Sequence, residues 1–143
     1  MKRMAILLSV TFVMGLVLGT IGNQVLNAQQ QPLKVTQLLK VDIVGVDGKE
    51  VLIRHVEFLP RGASGTHHHP AQTFAYVMEG AVTIEADGKP PHTVRAGEVL
   101  SEAPGYVHDT KNLTGSPAKL LVFRIHPKGQ PETIRVKDAY FVK

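Results

Sequence analysis

Turn chemistry interrupts this chain about every ten residues, a spacing that suits short strands and leaves no room for long helices. The interruptions are Asp47-Gly48, Pro60 with Gly62 and Gly65, Gly80, Asp87-Gly88, Gly97, Pro104-Gly105 and the polar run Asn112 to Pro117. Between them lie short apolar or alternating runs: Val51–Phe58 (VLIRHVEF), Thr73–Met78, Ala81–Ala86, His92–Arg95, Val99–Glu102, Tyr106–Lys111 and Lys119–His126. Val35 to Val46 reads as extended, and Thr133–Val136 as an edge strand in the tail that begins at Pro127. Pro90-Pro91 forbids central pairing where it stands. Beyond the first thirty residues no long stretch repeats with a period of 3.6. The pattern predicts an all-β domain, a sandwich or barrel.

The first 28 residues differ from the rest. Lys2 and Arg3 precede an almost wholly apolar run, Met4 to Ile21, and no further charge occurs before Lys34. This is the pattern of an N-terminal hydrophobic helix acting as a signal peptide, cut after Gly22 or Ala28, or as an uncleaved membrane anchor. Positive charge ahead of the apolar run places the remainder of the chain outside the cytoplasm, periplasmic, extracellular or anchored. Residues 29–37, beginning QQQPLK, read as a linker, and 38–143 as the folded domain. The chain of 143 residues is long enough for one domain and, at 43% hydrophobic, for a real core. It has no cysteine, so disulfides and thiolate chemistry are excluded. The net charge of +4 is scattered, with no basic cluster and no interleaved aromatics, which argues against nucleic-acid binding.

One constellation carries chemistry. His67, His68 and His69 are consecutive. In a strand, side chains alternate, so His67 and His69 share a face about 7 Å apart along the chain while His68 points away. Two imidazoles so placed can converge on one ion, and His108 is the candidate third donor. No nucleophile elbow, phosphate loop or dinucleotide fingerprint accompanies them.

Two segments together resemble the paired motifs of the cupin superfamily, and the small single-domain bacterial cupins in particular. In the first motif a His-x-His pair is followed by a glutamate and then, after six intervening residues, a glycine. His67, His69 and Gly80 match, and Thr73 stands where the glutamate belongs. In the second, Gly97, Gly105, His108 and Asn112 match, with Ala103 in the proline's place and Pro104 beside it. The spacing from Gly62 to His67 is one residue short. The motif core spans 62–112. The resemblance implies a jelly-roll β-barrel holding a divalent metal, Fe, Zn, Ni, Cu or Mn, on His67, His69 and His108. Gln72 or Thr73 is the candidate further donor in place of the missing glutamate. Three neutral ligands leave the ion its full charge, which favours a small anionic substrate.

Phe74, Tyr76, Met78 and Phe123 are candidate pocket-lining residues, and Tyr106 a candidate hydroxyl near the metal. His55, His92 and His126 read as structural or surface residues, and Glu102 as solvated. The resemblance implies a dioxygenase-like oxidoreductase. The alternatives are a non-catalytic cupin that binds a metal, sugar or small acid at the envelope, and a metal-free structural barrel. A small-molecule ligand is the expected partner, with the membrane added if residues 1–28 are retained. Homodimerisation through edge strands is common in the family.

Overall fold

The computed structural model describes residues 33–136, and the expected N-terminal helix lies outside them. Ten strands succeed one another: β1 (Leu33–Asp42), β2 (Lys49–Phe58), β3 (His67–His68), β4 (Gln72–Glu79), β5 (Ala81–Ala86), β6 (His92–Arg95), β7 (Val99–Glu102), β8 (His108–Lys111), β9 (Ala118–Pro127) and β10 (Ile134–Arg135). All pairings are antiparallel. They build two five-stranded sheets, ordered β1-β2-β9-β4-β7 and β10-β3-β8-β5-β6. This is the all-β sandwich that the turn spacing implied, in the jelly-roll form that the motif resemblance implied. Among the described residues no helix is long and apolar enough to cross a membrane. β1 begins at Leu33, so the last part of the expected linker is strand.

Strand alternation decides the interior. β2 turns Leu52, Val56 and Phe58 inward, β9 turns Ala118, Leu120 and Val122, and β4 turns Ala75 and Val77. With Val82, Ile84 and Val94 of the facing sheet they form the core. The same inward faces become polar at one end. Arg54 follows Leu52 on β2, Arg124 follows Val122 on β9, and Thr73 precedes Ala75 on β4. Pairing fixes their rows: Thr73 lies opposite Arg124 on one side and opposite Glu102 on the other. One row across the sheet therefore reads Arg124, Thr73, Glu102, all facing the histidine strands.

Two motif residues hold the frame. Gly80 has φ +75°, and a Cβ there would stand 2.7 Å from the Pro117 carbonyl oxygen, so the turn between β4 and β5 requires glycine twice over. Asn112 is buried. Its amide donates to the carbonyls of Ser116 (2.7 Å) and Leu59 (3.1 Å), and its Oδ1 accepts from the Thr114 amide (3.0 Å) and hydroxyl (2.7 Å). It closes the turn between β8 and β9 and ties it to the end of β2.

Candidate metal centre

His67 and His69 both point into the sandwich, and His108 on β8 is the register partner of His67 on β3. The Gly105 amide donates to the His69 carbonyl at 2.8 Å, binding the second motif to the first. All three histidines are buried, and one ring nitrogen of each lies within 4.8 Å of the others. His68, on the opposite parity, pairs with Ile134 of β10 and faces away from them.

Backbone carbonyls select the tautomers. Nδ1 lies 2.7 Å from the Gly65 oxygen in His67, 2.8 Å from the Glu132 oxygen in His69 and 2.9 Å from the Tyr106 oxygen in His108. A carbonyl can only accept, so each Nδ1 carries the proton and each neutral ring offers the lone pair of Nε2. The Nε2 atoms of His67 and His69 are 3.2 Å apart. Two donors about 2.1 Å from one ion and at right angles to each other sit about 3 Å apart, so this is the spacing of neighbouring ligands. Two facing lone pairs at that distance repel unless a cation lies between them.

Electrostatics poise the site. Burial holds the His67 imidazole down at about 4, against the hydrogen bond to Gly65. Burial and then the charge of Arg124 hold His69 down at about 2. Burial opposes charge on His108 too, but the hydrogen bond and charge of Glu102, with the Tyr106 carbonyl, outweigh it, and its pKa rises. Two of the three ligands thus need lose no proton to bind an ion.

The pocket in front of the histidines has a volume of about 250 Å³. Its apolar floor includes Val56, Leu120 and Val122, and its polar end includes Thr73, Glu102, Arg54, Arg124 and Arg135. Arg124 Nη2 lies 3.0 Å from His69 Nε2, donating into the lone pair an ion would use. Burial first, and then the charge of Arg54, lower the Arg124 guanidinium to about 10. Arg54 is ion-paired with Glu132. The Nε atoms of both arginines are buried with no hydrogen-bond partner among the described residues.

The structure therefore differs from several sequence expectations. Thr73 faces the pocket, but Gln72 has the opposite parity, and its amide donates to Ser101 Oγ and the Glu102 carbonyl, both at 3.0 Å, on the sheet exterior. Phe74, Tyr76, Met78 and Phe123 do not line the pocket. They lie on the outer face of the sheet, 39, 42, 41 and 37% exposed, because a strand that turns Thr73 inward must turn its neighbours out. Tyr106 stacks on the His108 ring, with centroids 5.5 Å apart and planes 16° apart, and reaches the site through its carbonyl rather than as pocket lining. His126 is buried rather than on the surface, its Nε2 donating to the Gln130 carbonyl at 3.1 Å. Glu102 is not solvated: it is 7% exposed, with Oε1 3.1 Å from His108 Nε2. The tail also contributes more than an edge strand, since Glu132 orients His69 and anchors Arg54.

Arg54 and Arg124 were not among the expected site residues. Their signal was parity: each is a charge on the face of its strand that is otherwise apolar, beside Leu52 and Val56 in one case and Leu120 and Val122 in the other.

Residues 54–124 match the family model described as the cupin domain. No curated protein sequence matches the chain significantly. Among solved structures, the chain is similar to a recombinant oxalate oxidase in complex with glycolate (TM-score 0.58, 23% identity, 76% of this chain and 57% of that one). It is similar also to the polyketide cyclase RemF of Streptomyces resistomycificus (0.60, 20%, 78% and 75%) and to the DMSP lyase DddQ of Ruegeria pomeroyi DSS-3 (0.60, 18%, 73% and 52%). The chain thus spans little more than half the length of the oxalate oxidase. These likenesses establish the fold.

Proposed function

We propose that this chain, a small cupin with its family domain at residues 54–124, holds one divalent metal ion on His67, His69 and His108 and binds a small anion beside it. The observation that carries the reading is the buried Arg124, with the half-buried Arg54 on the neighbouring strand, at the polar end of a pocket faced by three imidazoles. The donor set fits a first-row ion: three imidazole nitrogens within 4.8 Å of one another, each ring pinned by a carbonyl and two of them spaced as neighbouring ligands. Such an ion supplies Lewis acidity or O₂ activation at the positions the protein leaves open.

The remaining roles belong to the chain's own residues. Arg124 gives His69 Nε2 its hydrogen bond, and with that lone pair committed to an ion its Nη2 would be free for an oxygen of the ligand. Arg54, held by Glu132, adds a second positive charge from the neighbouring strand. A carboxylate meeting a guanidinium in a water-poor pocket gains a charge-assisted hydrogen bond of about 1.5–3 kcal/mol. At about 250 Å³ the cavity lies just below the ~300–1,000 Å³ of sites for drug-sized ligands, so the ligand is a small acid. The apolar floor of Val56, Leu120 and Val122 excludes water from its far side.

The activity we assign is oxidation of a small carboxylate or thiol-carboxylate, dioxygenase-like in class. The test is O₂ uptake by metal-loaded protein offered such acids, with Arg124→Gln beside it. The variant is expected to keep its metal and to weaken acid binding about tenfold or more. Acid binding without O₂ uptake would make the protein a carrier or sensor, and no acid binding at all would overturn the reading. Export by residues 1–28, or their retention as an anchor, belongs to the same proposal and is tested by cell fractionation. So does self-association, for which the outer face bearing Phe74, Tyr76, Met78 and Phe123 is the candidate surface, tested by sedimentation.

A further inference from the structure

The sequence lacks the glutamate of its first motif, and Thr73 occupies that position. Thr73 is buried and faces the pocket, yet its hydroxyl reaches only the Ala71 carbonyl, at 3.5 Å. Its register partner on the next strand is Glu102. Directly opposed residues of an antiparallel pair project to the same face with their Cβ atoms about 5 Å apart, within reach of one longer side chain. From this juxtaposition we infer that Glu102 replaces the missing glutamate as the carboxylate ligand of the metal centre, supplied from β7 instead of β4.

Three observations support the assignment. Glu102 is buried, and a buried carboxylate needs a compensating charge or donor. Among the described residues its side chain has one partner, His108 Nε2 at 3.1 Å. In the neutral ring that nitrogen is the unprotonated one, because Nδ1 is spent on the Tyr106 carbonyl. An anionic oxygen and a bare lone pair at this separation require a cation between or beside them, a proton without metal and the metal ion with it. The distance also matches the separation of about 3 Å expected for adjacent nitrogen and oxygen ligands of one ion. The carboxylate meets the three-nitrogen cluster at its His108 edge, while Arg124 meets it at His69 from the other end of the same row. A fourth, anionic donor lowers the net charge of the bound ion and strengthens its retention.

This inference rests on the three-histidine reading, and one experiment separates the two. Cobalt(II) is titrated into the metal-free full-length chain, reading affinity and the visible absorption of the bound ion. Three proteins are compared: the wild type, Glu102→Gln, and the double variant Thr73→Glu with Glu102→Gln. Circular dichroism confirms that each is folded. The expected result is one site in the wild type, at least tenfold weaker binding with altered absorption in the single variant, and affinity regained to within about threefold in the double variant, where a carboxylate returns to the opposite strand. Equal affinity and absorption in Glu102→Gln would overturn the inference and leave the histidine centre standing. Weakened binding that the double variant does not restore would also overturn it, showing that Glu102 acts only by positioning His108. A folded wild type that binds no cobalt would overturn both readings.

Discussion

The three histidines are alike in sequence, but their surroundings give them different proton affinities. With His67 held at about 4 and His69 at about 2, neither competes for a proton above pH 5. His108 does, because its pKa is raised when no metal is present. Metal binding must displace that one proton, so affinity is full above the raised pKa of His108 and falls as pH drops through it. Between that pKa and pH 5 the expected slope is about tenfold per pH unit, one proton and not three, measurable by competition titration. A slope of two or three would show that His67 or His69 is charged in the free protein. His69→Ala should lower metal content at least tenfold, and unchanged occupancy would remove His69 from the centre. The histidines were legible because parity and motif spacing both single them out. Glu102 was not, since its partnership with Thr73 and His108 is a matter of register between strands that sequence does not display. The aromatic residues of β4 misled for a related reason: large apolar side chains are expected inside, but the parity that turns Thr73 inward turns Phe74, Tyr76 and Met78 out.

Among the elements, turns carry the greater share of the folding information. Gly80 combines a positive φ with a Cβ position 2.7 Å from a carbonyl oxygen, so Gly80→Ala must both strain the backbone and push β9 away. We expect a loss of about 1–3 kcal/mol, read from the denaturation midpoint. A midpoint unchanged within error would mean that the turn rearranges freely. Asn112→Ala strands the Ser116 and Leu59 carbonyls and should cost about 2–4 kcal/mol by the same measure. Strand boundaries followed from these turns almost residue for residue, as at β5, β6 and β7. β3 stands out through its histidines and not as a run between turns, because it is two residues long and exists only through its pairing with β8 and β10. The linker expected through residue 37 overlaps β1, since Leu33 onward pairs with β2 in spite of a mostly exposed surface.

Across the whole sandwich, polarity is segregated by position along the strands. Val77, Leu120 and Val56 fill one end of the interior, and arginines, a glutamate and three histidines fill the other. Those polar groups bury charge that the apolar end must support, and the proposed ion would tie the three histidines together there. Binding to the folded state alone should therefore stabilise the protein by about 2.7 kcal/mol at a free metal concentration a hundred times the dissociation constant, read as a shift in the unfolding transition. The most direct test of the centre is elemental analysis of the purified full-length chain after it has been offered first-row divalent metals and freed of excess. The account predicts close to one ion per chain, lost on His108→Ala. A folded wild-type protein that retains none, with its three nitrogens in place, would contradict it.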